Sequence, residues 1–142
     1  MKIGLISDTH SYLDEKVFKH FDSCDEVWHA GDIGEYEVAS RLKAFKPLRA
    51  VFGNIDGQDI RIEFPEHLHF SVDGLKVWMT HIGGSPPRYN PSLRAALKKE
   101  PPDIFVCGHS HILKVISDHQ LGGMLLHSFP TRRSSDHRKS VV

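Results

Sequence analysis

The chain has 142 residues, of which 39% are hydrophobic and 25% are charged, and this composition is typical of one globular domain with a single core. Lys+Arg and Asp+Glu both total 18, so no excess of positive charge would draw it to nucleic acid or to an anionic membrane. No apolar run is long enough for a transmembrane helix. Its two cysteines, Cys24 and Cys107, form no disulfide framework or CxxC site, so we expect a cytoplasmic protein.

The first half of the sequence alternates strand-like and helix-like segments. Short apolar runs predict strands at residues 2–7, 26–30 and 48–52, and helical spacing of apolar residues predicts helices within 14–24 and 35–45. Because short links join these segments, the order predicts a parallel sheet built from right-handed crossovers.

The second half has a different pattern. Two alternating runs flank Asp73-Gly74, which is a strong hairpin signal. A turn-rich loop at residues 85–92 precedes a helix over residues 93–99, and strands follow within 102–108, 112–118 and 124–127. We therefore predict an α/β fold with two sheets, the second of which has antiparallel additions.

Side chains that commonly bind metals follow five of the predicted strands. In α/β sheets ligands bind beyond the carboxyl ends of the strands, and glycine flanks nearly all of these positions, as expected where backbone passes close to an ion. The residues are Asp8 and His10, Asp32, Asn54 and Asp56, His81, and His109 with His111.

The chemistry of these side chains indicates the kind of ion. Carboxylates, an amide oxygen and imidazoles without a thiolate suit manganese, iron(II) or zinc, and they disfavour a structural zinc site. The seven candidates other than Asp56 are too many for one tetrahedral ion, but they suit two ions that share a carboxylate. Each motif alone could be a turn, whereas turn chemistry does not account for all five in this order. His29 could either support a ligand or simply be packed in its strand.

The ordered motifs Asp8-x-His10, Gly31-Asp32, Gly53-Asn54, His81 and Gly108-His109-x-His111 resemble the signature of the calcineurin-like metallophosphoesterase superfamily. The segments GLISDTHSYLD, HAGDIG and GNIDG are similar to its small bacterial YfcE-type phosphodiesterase branch. The resemblance covers residues 1 to about 126. It implies a four-layer αββα sandwich over residues 1–127 and the hydrolysis of a small phosphodiester by a hydroxide that bridges two metals.

The resemblance also implies a role for each ligand. Asp8, His10 and His111 would hold the first metal, and Asn54, His81 and His109 the second. Asp32 would bridge both metals, so the expected catalytic residues are Asp32, Asn54 and His109. The expected ions are two Mn²⁺, with Zn²⁺, Fe²⁺ or Ni²⁺ as alternatives.

Two features depart from the family pattern. Many members have histidine where this chain has Ile55, so protonation of the leaving group is unassigned, which favours phosphodiesters with good leaving groups. Residues 128–142 contain no predicted strand, and HSFPTRRSSD resembles a translated sequencing adapter; our hypothesis is that this segment is disordered and not native, and that the last strands of the family fold are missing or replaced.

Other interpretations remain open at this point. The chain could be a catalytically silent scaffold that binds another protein, as the retromer subunit of similar fold does, although all seven ligand positions are filled. Arg88 and Tyr12 could contact substrate phosphate or simply belong to surface loops. Oligomeric state is not indicated by the sequence.

Overall fold

The computed structural model describes residues 1–82, 84–85, 88–89, 91–108, 114–117 and 125–128. The predicted parallel sheet is present. It consists of β1 (Lys2–Ile6), β2 (Glu26–His29), β3 (Leu48–Ala50) and β10 (Leu125–Ser128) in the order β10-β1-β2-β3, and every neighbouring pair is parallel. The carboxyl ends of β1, β2 and β3 therefore lie at one edge of the sheet.

A second sheet contains β4 (His67–Val72), β5 (Leu75–Thr80), β8 (Ile104–Cys107) and β9 (Lys114–Ser117) in that order. The β4–β5 and β8–β9 pairs are antiparallel, whereas β5 and β8 are parallel. The predicted hairpin joins β4 to β5, and Asp73 and Gly74 both have positive φ, at 51° and 79°, as a type I′ turn requires. Two short strands, β6 (Gly84–Ser85) and β7 (Arg88–Tyr89), pair antiparallel within the predicted loop.

Four helices complete the described fold: α1 (Lys16–His20), α2 (Tyr36–Phe45), α3 (Gln58–Glu63) and α4 (Pro91–Lys99). Alternation along the strands decides what each face contacts. In β1, Ile3 and Leu5 face the second sheet, where they pack with Met79 and Val106. The opposite face of the first sheet packs on the first three helices, through a cluster that includes Val17, Val27, Val38, Leu42 and Ile60.

On its outer face the second sheet packs against α4, through Trp78, Phe105 and Cys107 on Leu93. The layers therefore run helix, sheet, sheet, helix. The α/β two-sheet fold and its four-layer αββα order, both predicted from the sequence, are confirmed.

The structure corrects the predicted elements in two places. α3 lies in a stretch for which no element was predicted; its Ile60 is buried, while Ile62 is 74% exposed. The loop at 85–92 is partly paired, as β6 and β7 show. Ser128 is the last residue of β10, and residues 129–142 lie outside the described residues, so the hypothesis of a non-native tail stays a prediction. Within the described part of the chain, no helix has the length and apolarity needed to cross a bilayer.

Candidate metal centre

The loops that follow β1 and β2 are joined to each other by their backbones. The N–H groups of Asp8, His10 and Ser11 donate to the carbonyls of Gly31, Asp32 and Ile33 at 2.9, 3.0 and 2.9 Å. Asp8, His10, Ser11 and Asp32 all have positive φ, between 48° and 71°, a conformation that costs free energy for residues with a side chain. The inter-loop hydrogen bonds hold this strained backbone and keep the first two motifs together.

Four of the predicted ligands meet at this edge of the sheet. Nε2 of His81 lies 3.2 Å from Oδ2 of Asp32 and 3.8 Å from Oδ1 of Asp8. Nε2 of His10 lies 3.3 and 3.9 Å from the same two oxygens. Ligand atoms of Asp8, Asp32 and His81 all lie within 4.8 Å of one another, and these three residues are buried, with 1–2% exposure.

His81 shows how such a side chain is prepared for an ion. Its Nδ1 lies 2.8 Å from the carbonyl oxygen of Ala30; a carbonyl can only accept, so Nδ1 carries the proton and donates it. Nε2 faces the carboxylates and is the atom that would ligate an ion in place of its contact with Asp32; a histidine ligand held through its other nitrogen is the usual arrangement at metal sites.

The pKa values follow from the same contacts. Burial acts to lower the pKa of His81, but its hydrogen bonds to Asp32 and to the Ala30 carbonyl, with the charges of Asp8 and Asp32, raise it overall. Burial acts to raise the pKa of Asp32, but the hydrogen bonds from His81 and the Ile55 N–H lower it overall. The site therefore favours ionised carboxylate next to positive charge.

Two carboxylates buried side by side need such compensation, because an uncompensated buried charge is strongly destabilising. In the described residues the carboxylates raise the pKa of His81, and a divalent cation would supply positive charge in place of the His81 proton. The donor set, the burial and the orientation of His81 thus fit a metal ion.

Asp56, which the sequence placed among the strand-end polar residues, has a different function. Its carboxylate is 4% exposed and accepts hydrogen bonds from the N–H groups of Ile33, Gly34 and Gly53 at 3.1, 2.8 and 2.8 Å. It thus ties the loop that carries Asp32 to the loop after β3. We call these three hydrogen bonds the Asp56 clamp.

His29 also supports the loops. Its Nδ1 accepts from the N–H of Gly31 at 3.1 Å, so its Nε2 carries the proton and donates to Oγ1 of Thr9 at 3.0 Å. That hydroxyl in turn donates to the carbonyl of Ile33 at 2.9 Å. Burial, followed by the charge of His81, lowers the pKa of His29 to about 3, so this histidine is a neutral support beneath the ligand loops. His29 is thus packed in its strand and hydrogen-bonded to the backbone just before Asp32, and its role as support for a metal ligand stays a prediction.

The remaining predicted ligands are less completely described. Asn54 lies in the loop after β3 and lines a cavity next to His81. His109 and His111 lie outside the described residues. Gly108, directly before them, donates its N–H to the carbonyl of His81 at 3.0 Å, and a Cβ atom at Gly108 would lie 2.9 Å from Oδ2 of Asp8. The ligand roles assigned from the sequence stay predictions.

The fold and the site define a protein with a candidate divalent-metal centre at the carboxyl ends of the strands of a parallel sheet. Residues 1–128 match the calcineurin-like phosphoesterase superfamily domain. The chain belongs to this family of metal-binding phosphoesterase hydrolases, and the resemblance seen in the motifs is confirmed.

Two curated relatives agree with this assignment. A probable metallophosphoesterase of Methanothermobacter thermautotrophicus is 31% identical over 116 residues, which cover 78% of this chain and 67% of the relative. A phosphodiesterase of Methanocaldococcus jannaschii is 28% identical over 130 residues, covering 78% of this chain and 74% of the relative. The chain thus spans about two thirds to three quarters of the length of these proteins.

Solved structures share the fold. YfcE, a phosphoesterase from E. coli, has a TM-score of 0.55 at 20% identity, over 91% of this chain and 79% of that one. Vps29 of Entamoeba histolytica, complexed with Zn²⁺, has a TM-score of 0.63 at 18% identity, over 96% of this chain and 80% of that one. At these identities the similarity shows the fold alone.

Proposed function

We propose that this protein is a phosphodiesterase that uses two divalent ions to hydrolyse small phosphodiesters in the cytoplasm. The oxygen and imidazole ligands suit two Mn²⁺ ions. The observation that carries this proposal is the buried group of Asp8, Asp32 and His81 at the edge of the sheet. The name phosphodiesterase of the M. jannaschii relative supports the substrate class.

The geometry around Asp32 supports its role as the shared ligand. Its Oδ2 atom lies 3.3 Å from Nε2 of His10 and 3.2 Å from Nε2 of His81, the two imidazoles that the family pattern assigns to different ions. A carboxylate that lies between two such nitrogens could be shared by a pair of ions. Among the described residues, Asp8 would be a further ligand of the first ion and Asn54 a further ligand of the second.

Bound there, the ions would supply a nucleophile at neutral pH and offset the charge that develops on phosphate oxygens. The chain's own residues hold the ligands in place: the Asp56 clamp joins two ligand loops, and His81 is oriented by the Ala30 carbonyl. Ile55, which is 46% exposed, supplies no proton to a leaving group, and this supports diesters with good leaving groups over alkyl monoesters.

The test is hydrolysis of bis(4-nitrophenyl) phosphate by the full chain after chelation, with and without added Mn²⁺. We expect Mn²⁺-dependent turnover that falls at least about a hundredfold in Asp32→Asn and in His109→Ala, because loss of a supporting residue alone costs 10–100-fold at metal sites. Asp22→Asn is the matched control, since Asp22 is exposed on the α1–β2 turn.

The alternative is a catalytically silent scaffold, for which the fold shared with Vps29 is the supporting observation. A folded chain that binds Mn²⁺ but does not hydrolyse the diester would favour this alternative. Full activity in both site variants would overturn the assignment of the metal centre.

A further inference from the structure

A cavity of about 250 Å³ adjoins the metal centre. Asn54 and His81 form the wall that it shares with the centre, while Arg61, Glu66 and His67 line other parts of it. Ligand-binding pockets for whole small molecules are usually larger, roughly 300–1,000 Å³. The cavity therefore has the size for one substituent of a substrate whose phosphate lies at the centre.

Arg61 is held firmly at this cavity. Its Nε donates to the carbonyl of Asp56 at 2.6 Å, and Nη2 makes long contacts of 3.4 Å with the carbonyls of Gly53 and Asn54. The guanidinium also lies 4.4 Å from the centre of the Phe52 ring. A guanidinium that is already fixed loses little side-chain entropy when it binds a further group.

The charge of Arg61 is not neutralised by an ion pair within the described residues. Arg41 and Arg49 each lie within 3.0 Å of a glutamate oxygen, whereas the described hydrogen bonds of Arg61 all go to neutral backbone carbonyls. Its Nη1 group takes part in none of these bonds. Glu66, on another wall, has a side chain that is 66% exposed and lies 3.9 Å from Nε2 of His67.

A fixed guanidinium with unused donors is suited to bind carboxylate or phosphate oxygens. We propose that the cavity is a substrate subsite and that Arg61 binds a second negative charge, carried as a carboxylate or phosphate on one alcohol of the phosphodiester. This inference rests on the proposed phosphodiesterase function, and it narrows the substrates to diesters with an anionic substituent.

The test uses matched substrates. Each is a 4-nitrophenyl phosphodiester whose second alcohol bears a carboxylate, a phosphate, or the methyl ester of that carboxylate. For the Mn²⁺-loaded chain we expect a lower KM for the anionic diesters than for the ester. In Arg61→Gln the KM for an anionic diester should rise about tenfold or more, since a hydrogen bond to a charged group contributes that much to binding, while the ester changes less than twofold.

Two further variants sharpen the result. Arg61→Lys keeps the charge and should retain part of the preference, and Arg94→Gln, an exposed change on α4, should leave KM unchanged. An equal loss for the anionic and ester substrates would overturn the proposal, because Arg61 would then only brace the loop of Asn54. A preference for the phosphate over the carboxylate diester, or the reverse, would identify the anion that is bound.

Binding to the chelated protein separates this proposal from the proposed function. The affinity of each diester is measured by calorimetry without turnover. Tighter binding of the anionic diesters that Arg61→Gln removes supports the subsite, even if no hydrolysis is found and the phosphodiesterase proposal fails. Equal affinity for anionic and ester diesters in the wild-type chain overturns the subsite, even if both are hydrolysed.

Discussion

Replacing Asp56 by alanine removes the Asp56 clamp and tests whether one carboxylate holds two ligand loops together. The three N–H groups that it bonds belong to Ile33, Gly34 and Gly53. Alanine leaves these donors without their acceptor, and the bonds to Ile33 and Gly53 are buried. Backbone donors left unsatisfied inside a protein cost their full desolvation.

The size of the effect follows from these contacts. A hydrogen bond to a charged group contributes about 1.5–3 kcal/mol, and water can replace the more accessible bond to Gly34. We therefore expect the Asp56→Ala variant to lose about 3–5 kcal/mol of unfolding free energy. This is a large part of the roughly 5–15 kcal/mol typical of a domain, and it would lower Tm by about 10 °C.

The assay is urea unfolding at pH 7 followed by circular dichroism, together with calorimetric titration of Mn²⁺. Mn²⁺ affinity should fall about 10–100-fold, as for other residues that orient metal ligands. Asp59→Ala is the matched control, because Asp59 is exposed and, among the described residues, accepts only from the neighbouring Ile60 N–H at 2.9 Å. If Asp56→Ala changed stability and Mn²⁺ affinity no more than Asp59→Ala does, the clamp would have no role and the reasoning would be refuted.

Two further predictions follow from the same loops. A Cβ atom at Gly53 would lie 2.1 Å from Oδ1 of Asp32, so Gly53→Ala should displace that carboxylate and weaken Mn²⁺ binding at least tenfold by calorimetry. Gly57→Ala is the control, because its Cβ atom would have its nearest contact 3.7 Å away and Mn²⁺ binding should not weaken. Equal Mn²⁺ affinities in the two variants would disprove the displacement. The pKa of His29 is about 3 in the folded protein and about 6.5 in the unfolded chain. The contribution of the neutral imidazole to the free energy of unfolding is therefore complete above pH 6.5 and is lost as the pH falls towards 3. By pH 4.5 this loss is about 2.5 kcal/mol of unfolding free energy. Urea unfolding should therefore show that the free energy of unfolding falls less between pH 7 and 4.5 in His29→Asn than in the wild-type chain. An equal fall in the two proteins would contradict this prediction.

The strands and their polar ends could be read from the sequence because both depend on neighbours along the chain. Apolar runs such as residues 2–6 need burial on two faces, and β1 is buried in this way between the second sheet and the helices. Once a parallel sheet is predicted, its strand ends must share an edge. The meeting of Asp8 and Asp32 was therefore expected from the sequence, whereas His81 follows β5 of the second sheet and reaches them only through the packing of the two sheets.

Short elements were less predictable. The α3 segment has one buried residue, Ile60, and its alternating isoleucines are typical of a strand. Its helical form depends on packing against the first sheet, which no local pattern contains. The same holds for β6 and β7, which are two-residue strands in a segment rich in turn residues.

The sequence by itself determined the fold class and the kind of ligand atoms, because hydrophobic periodicity and side-chain chemistry are local properties. Only the tertiary structure decided how the loops hold those atoms. The Nδ1 proton of His81 is directed by a carbonyl 51 residues away, and Asp56 reaches a loop 23 residues away. Such contacts depend on strand order and register, which bring distant segments to one edge of the sheet. The same packing places Arg61 beside the metal centre, where nothing in its own sequence neighbourhood indicated a role.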